Sequence, residues 1–318
     1  MSEGEGRAPS VGRRAACGAK PGAAAPVALG ARVDTVGDLL AELTAVLEEA
    51  DVPEARAESR DMIAALLDVP RFWPSANRGA AIDAECRASA LGAVARRAAG
   101  APFAYAVGRS AFRHLTLDVD ERVLLPRQET EVLVDLVLEA LGGAAGGTVA
   151  DVGTGSGAIA LALATEGRFD RVIATDVSLD ALAVAERNAA HLAGALRARV
   201  ELRHGSLLAP LAHERGLRAI VSNPPYIAYG EAAGLPRSVR DWEPALALFS
   251  GDNGMAATAA MVDGAAPLLA SAGLLAIEVD TRRASLAAEL CLADGRYRDV
   301  AVRLDLTGRE RFVLAKRA

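Results

Sequence analysis

Residues 222–226 read Ser-Asn-Pro-Pro-Tyr and follow directly on the apolar run Ala219, Ile220 and Val221. Two consecutive prolines cannot extend a sheet, because neither carries an N–H for the ladder. The spacing therefore predicts a rigid loop at the carboxyl end of a strand, where open α/β sheets bind ligands. Asn223 offers a carboxamide acceptor and donor. The carbonyl of Pro224 is an acceptor with no ladder partner, Pro225 stiffens the turn, and Tyr226 presents a flat face. This set suits a planar NH2 group, either an amide or an aromatic amine. The nitrogen of such a group is a poor nucleophile because its lone pair is delocalised. Two acceptors on its hydrogens would orient it and favour the positive charge it gains on attack. Against a strong electrophile no general base is needed, and none is evident nearby.

A second motif lies upstream. Residues 151–164 read DVGTGSGAIALALA, a buried strand running into a glycine-rich turn and then a helix. Gly153, Gly155 and Gly157 permit a tight turn and a close approach of a ligand to the backbone. Thr154 and Ser156 lie between them. A helix start offers N–H groups and a positive dipole end to an anion, whether a pyrophosphate or a methionine carboxylate. Asp176 closes the next apolar run, RVIATD, 19 residues after Gly157. An acidic residue there can accept both hydroxyls of a ribose. Loop and acid together indicate an adenosine cofactor without separating NAD from S-adenosyl-L-methionine. The amide-directed loop at 222–226 favours the second.

The elements that must position these groups follow from periodicity. From Thr148 onward short apolar runs (TVADV, RVIATD, RVELR, RAIVSN, GLLAIEVD) alternate with helical stretches. That alternation predicts a parallel α/β sheet with helices on both faces. ETEVLVDLVLEAL reads as an amphipathic helix before it. Residues 111–125, AFRHLTLDVDERVLL, alternate roughly and predict a β-hairpin turning at DVDER. Leu39, Leu40, Leu43, Val46 and Leu47, then Met62, Ile63, Leu66 and Leu67, then Leu91, Val94 and Ala95, recur at helical spacing and predict a small helical domain. Residues 1–33 are rich in Gly, Ala, Pro and Arg, lack any hydrophobic period, and read as a disordered tail without a secretory h-region.

Composition narrows the function classes. The chain has 318 residues and a formal net charge of −6, which argues against a protein that grips nucleic acid by its phosphates. No apolar run is long enough for a membrane span. Cys17, Cys86 and Cys291 are far apart, and the four histidines are scattered, so no metal site or disulfide framework is indicated and a reducing, cytoplasmic setting fits.

With these residues in hand, the chain resembles the release factor glutamine methyltransferases, the HemK/PrmC family, over about residues 34–316. PFAYAVGRSAF, LLPRQETEVLV, GTGSGAIALALA, SNPPYI, LPRSVRDWEPALALFSGDNGM and DLTGRERFVLAKR are similar, in order, to that family's segments. The resemblance implies an α/β class I S-adenosylmethionine methyltransferase, with a Rossmann-like seven-stranded sheet whose last strand is antiparallel. It also implies a small N-terminal helical domain and a linking β-hairpin. The expected division is a tail at 1–33, a substrate-docking domain at 34–100, a linker and hairpin at 101–127, and the methyltransferase domain at 128–318. The implied reaction moves a methyl group from S-adenosyl-L-methionine to the N5 amide nitrogen of the glutamine in the GGQ motif of peptide chain release factors. Gly153, Thr154, Gly155, Ser156, Gly157, Asp176, Leu207 and Asn223 would hold the cofactor. Asn223, Pro224, Pro225 and Tyr226 would frame the glutamine amide. No metal, membrane or direct nucleic-acid contact is expected.

Four positions depart from the family pattern. Gln128 stands for a proline, Ala111 for a glutamate, Ser206 for the acidic residue that commonly contacts adenine beside Leu207, and Asp280 for a glycine. The Ser206 change bears on adenine recognition. Those at Gln128 and Ala111 lie near the domain junction and bear on which protein docks. A ribosomal-protein glutamine methyltransferase and an adenine-N6 nucleic-acid methyltransferase are the rival enzymes. The net charge of −6 and the absence of an added basic domain weigh against the second. A cofactor-binding protein without activity is the reading from outside enzymes, and the complete Asn-Pro-Pro-Tyr loop weighs against it.

Overall fold

The computed structural model describes residues 34–143 and 145–318. The expected tail and Cys17 lie outside the described residues. Among those described, no helix is long and apolar enough to cross a membrane. They fall into two compact units, divided between Arg109 and Ser110.

The first unit is helical. α1 (Val36–Glu49) starts at Thr35, which forms a capping box with Asp38, and buries Leu39, Leu40, Leu43 and Leu47. α2 (Ala55–Leu67) buries Met62, Ile63 and Leu67 and stops at Asp68 in the left-handed region. After the single turn α3 (Trp73–Ala76), α4 (Ala84–Ala98) is capped by Asp83, which accepts from the Cys86 N–H. α4 buries Cys86, Ala90, Ala93 and Val94, whereas Leu91 is half-buried and Ala95 exposed. α5 (Phe103–Val107) ends at Gly108 with φ 72°. Ala106 and Val107 belong to this unit's core, so the helical unit continues past the expected boundary at 100.

A hairpin follows at the start of the second unit, of β1 (Arg109–Phe112), whose first residue precedes the division, and β2 (Leu115–Asp118). The strands turn at Arg113 and His114, not at DVDER as the sequence pattern predicted. Arg113 adopts φ 54°, and its N–H donates to Glu131 while its guanidinium grips Glu166 at 2.6 Å and Asp135 at 2.7 Å. Those ties hold a left-handed turn that pattern alone did not indicate. Phe112, Leu115 and Leu117 then join the main core.

The elements that follow are α6 (Gln128–Ala140), β3 (Thr148–Val152), α7 (Ala158–Glu166), β4 (Arg171–Asp176), α8 (Leu179–His191), β5 (Arg199–His204) and β6 (Leu217–Ser222). Short pieces come next: β7 (Ile227–Ala228), α9 (Arg237–Arg240), α10 (Ala245–Leu248), β8 (Phe249–Ser250) and the turn α11 (Gly251–Gly254). The unit closes with α12 (Ala256–Ala265), β9 (Leu269–Glu278), α13 (Ala284–Asp294), β10 (Tyr297–Leu304) and β11 (Glu310–Arg317).

Seven strands form one sheet in the order β10-β11-β9-β6-β3-β4-β5. β3 is parallel to β4 and β6, β4 to β5, and β6 to β9, while the last strand, β11, is antiparallel to both of its neighbours. This is the α/β class I methyltransferase arrangement, and it matches the expectation. Strands buried on both faces read as continuous apolar runs, and successive residues here serve opposite cores. Leu274 and Ala276 pack with α6 and α7, and Leu275 and Ile277 with α12 and α13. Such packing fixes the strand ends β3, β4, β5 and β6 side by side, with the loops that follow them at one edge.

Candidate active site

The loops after β3, β4, β5 and β6 open on one cavity of about 250 Å³. Val152, Gly153 and Gly155 line one wall, and Ser222, Asn223, Pro224 and Pro225 another. Asp176, Val177, Ser206 and Leu207 contribute from β4 and β5. The glycine loop and the proline loop, 70 residues apart, are joined directly: the Ser222 hydroxyl donates to the Val152 carbonyl at 2.7 Å.

The glycine wall is a backbone construction. Gly153, Gly155 and Gly157 all take positive φ (75°, 55° and 86°), a region where a side chain is strained. At Gly157 a Cβ would also lie 3.0 Å from the Leu161 side chain of α7 and 3.4 Å from the Ala185 Cβ on α8, so this glycine lets α7 start close against α8. The N–H groups of Gly153 and Thr154 donate to the Thr175 carbonyl at 2.8 and 2.9 Å. The Gly155 N–H donates to one oxygen of Asp176 at 2.9 Å, and the Ser178 N–H to the other at 2.9 Å. Two backbone donors thus fix the Asp176 carboxylate at the cavity wall.

Beneath the loop lies Asp151, fully buried. Its Oδ2 accepts from the Thr154 hydroxyl at 2.6 Å and from the Ala160 N–H at 3.0 Å. Its Oδ1 is buried with no hydrogen-bond partner. Burial pushes its carboxyl up to about 7, against the pull of its two donors. Thr154 and Ser156 are buried rather than turned to the cavity, and the Ser156 carbonyl accepts from Asn188. Of the sequence-predicted cofactor residues, Gly153, Gly155, Asp176, Leu207 and Asn223 line the cavity; Thr154, Ser156 and Gly157 shape the loop behind it. Leu207 is held at φ 47°, one residue after Ser206, which stands at the wall with only a short hydroxyl.

The proline wall is held by side chains. Asn223 is half-buried, and its Nδ2 donates to the Thr130 hydroxyl at 3.1 Å. Thr130 donates in turn to Glu278 Oε2 at 2.7 Å. Thr130 sits in the first turn of α6 and Glu278 at the carboxyl end of β9, both buried. Burial pushes the Glu278 carboxyl up to about 7, with Thr130 and Arg311 opposing. Tyr226 is half-buried beyond the cavity lining, and its hydroxyl is pushed up to about 12 by burial and by the charge of Glu278. It stays protonated at ordinary pH and is no general base.

Behind this loop, β7 pairs with β8, and Tyr229 stacks on Phe249 with ring centres 5.6 Å apart. Gly254, at φ 87°, lets the Tyr226 carbonyl approach so closely that a Cβ would lie 2.2 Å from it. Arg283 donates to the Asn253 carbonyl at 2.7 Å and to Glu231 at 2.9 Å, and Glu231 accepts from the Ala228 N–H. Asp280, one of the departures from the family pattern, pairs with Arg282 at 2.9 Å and with Arg283 at 3.4 Å, so it anchors this strapwork. Gln128 and Ala111, two others, are exposed. Arg127 pairs at 2.6 Å with the buried Glu243, tying the start of α6 to the segment before Phe249.

None of Asp151, Thr130 and Glu278 stands out in the sequence as a site residue. Each nevertheless carried a signal: a polar residue at the end of an apolar strand run (TVAD, AIE) or on the buried side of an amphipathic helix. A polar group placed there needs a partner.

Comparison with known proteins agrees with this architecture. The Methyltransferase small domain family matches residues 127–234, and the PrmC N-terminal domain family matches residues 38–108. The release factor glutamine methyltransferase of Moorella thermoacetica is 48% identical over 227 residues, 71% of this chain and 78% of that protein. That of Deinococcus radiodurans is 40% identical over 282 residues, covering 88% of this chain and 98% of its own. That of Burkholderia pseudomallei is 41% identical over 232 residues, 72% and 81% of the two chains.

Proposed function

The chain belongs to the release factor glutamine methyltransferase family, and from that membership we propose that it methylates N5 of the GGQ glutamine of a peptide chain release factor, with S-adenosyl-L-methionine as donor and the cytoplasm as its place of work. The observation that carries the reading is the shared cavity. The glycine loop and Asp176 face the same space as Asn223, Pro224 and Pro225.

The residues present fit the donor. Asp176, fixed at the cavity wall by two N–H groups, would accept from ribose hydroxyls, and Val177 and Leu207, which also line the cavity, would offer apolar walls to a flat ring. Ser206 takes the place of an acidic partner for adenine with a weaker hydroxyl. When bound, S-adenosyl-L-methionine supplies a methyl group already activated by its positive sulfur. The protein's share is position and charge. Asn223 and the Pro224 carbonyl accept the two hydrogens of the glutamine amide and aim its nitrogen into the cavity. Their oxygens favour the positive charge that this nitrogen gains. The amide proton then leaves to solvent, since Tyr226 is already protonated. The helical unit, which the PrmC N-terminal domain family matches, would help dock the protein substrate.

The test is a transfer assay with isotope-labelled donor on a purified release factor and on the same factor with its GGQ glutamine changed to alanine. Label located by mass spectrometry on that glutamine, and absent from the variant, is the expected result. Label on neither, with donor binding intact, would overturn the substrate and send the search to ribosomal proteins and DNA.

A further inference from the structure

The hydrogen-bonded triplet of half-buried Asn223 and buried Thr130 and Glu278 carries more than packing. A threonine hydroxyl has one proton to give. At 2.7 Å from Glu278 Oε2, that proton is committed to the carboxylate, which when ionised has none to offer back. The Thr130 oxygen can then only accept, and the group 3.1 Å from it must be the NH2 end of Asn223. We propose that Thr130 and Glu278 are positioning residues that fix which end of the Asn223 carboxamide faces the cavity, turning its oxygen toward the substrate nitrogen. The inference rests on the amide-methylation reading, because only an NH2 acceptor requires oxygen at that place.

Without this arrangement an asparagine amide is close to symmetric in shape. Turned by half a rotation, it would aim its NH2 at the substrate NH2 and oppose the reaction. Glu278 does not contact the cavity, so it acts through Thr130 and then Asn223. The groups facing Glu278 are Arg311 on β11, Arg127 and Glu129 at the start of α6, and Tyr226 on the proline loop. Arg311 and Arg127 favour the ionised form, and Glu129 and burial oppose it. When Glu278 takes up a proton, its carboxyl becomes a donor, Thr130 regains the freedom to donate, and the orientation of Asn223 is no longer fixed. With the carboxyl raised to about 7, that release comes as pH falls through about 7.

The test uses the full chain labelled with 15N at asparagine, with the Asn223 side-chain NH2 signal assigned by its loss in Asn223→Asp. The NH2 signal should shift as pH is lowered through about 7 in the wild type and show no such step in Glu278→Gln. At saturating substrates, wild-type kcat should fall over the same interval, and Glu278→Gln should flatten that limb. Thr130→Val should lower kcat roughly 10–100-fold at pH 8, the scale seen when one aimed polar group is lost, with donor Kd within about three-fold. Thr130→Ser keeps the hydroxyl and should restore most of the rate. A merely structural role would lower the melting temperature without moving the pH limb. Wild-type kcat in folded Thr130→Val, or an Asn223 signal that still titrates near pH 7 in Glu278→Gln, would overturn the proposal. If the wild type fails to methylate a release factor, the substrate reading falls, while the NH2 titration still decides the orientation.

Discussion

The two walls of the cavity are built in opposite ways. The glycine wall is local: Asp151, Thr154, Gly155, Ala160 and Asp176 lie within 26 positions and are joined by bonds spanning 3, 9 and 21 residues. Backbone conformation does most of the work there, through three left-handed glycines and N–H donors. The proline wall is assembled from afar. Asn223 meets Thr130 across 93 positions, and Thr130 meets Glu278 across 148. Side chains hold it, and α6, β6 and β9 must all be in register before the triplet exists. On the proposed function, a short loop would hold the donor, while a neutral amide, whose two hydrogens must be aimed, would call for acceptors held from several elements.

That contrast sets the order of the expected effects. The largest falls on the proline wall. Gly254→Ala places a methyl 2.2 Å from the Tyr226 carbonyl at φ 87°, so the loop must move. Transfer should drop by about 100-fold or more, the scale of a roughly 1 Å misplacement, while donor affinity stays near wild type. Equal loss of both, seen by calorimetry beside a transfer assay, would show that the walls are not separable. Next comes Asp176→Ala on the glycine wall. Losing a carboxylate acceptor should weaken the donor by roughly 10–100-fold in Kd, about 1.5–3 kcal/mol, with kcat at saturating donor little changed. An unchanged calorimetric Kd would remove Asp176 from the binding role.

The smallest effect on transfer is expected from Asp151→Asn, which leaves the cavity lining untouched. Its signature is in stability against pH. The folded carboxyl is raised from 3.8 to about 7, so the native state holds a proton that the unfolded chain has released. Its contribution is complete below pH 3.8 and is lost as pH rises to about 7. Wild-type stability, taken relative to Asp151→Asn, should therefore decline across that interval and level off above it. Parallel curves from denaturant titrations at several pH values would contradict the burial assigned to Asp151.

The same contrast explains what the sequence disclosed. The sheet, the glycine loop, Asp176 and the proline loop were all readable, because each is written in a contiguous stretch whose pattern has one physical meaning. Thr130 lies in a segment that resembles the family and Glu278 in a predicted strand, GLLAIEVD, yet nothing local says that they meet. The hairpin turn was misplaced for a related reason. DVDER has the composition of a turn, but Arg113 turns first because Glu166, Asp135 and Glu131 hold it there from other parts of the chain. The inward direction of the Thr154 hydroxyl likewise depends on a partner, Asp151 beneath the loop, and Asn188 on α8 holds the Ser156 carbonyl.

The most direct measurement is Asn223→Ala, followed by donor titration and methyl transfer on the same preparation. If one wall holds the donor and the other aims the amide, transfer should fall by at least about 100-fold, as when an aimed donor or acceptor is removed, with donor Kd within about five-fold of wild type. Near-wild-type transfer, or a loss of donor binding as large as the loss of transfer, would contradict that division.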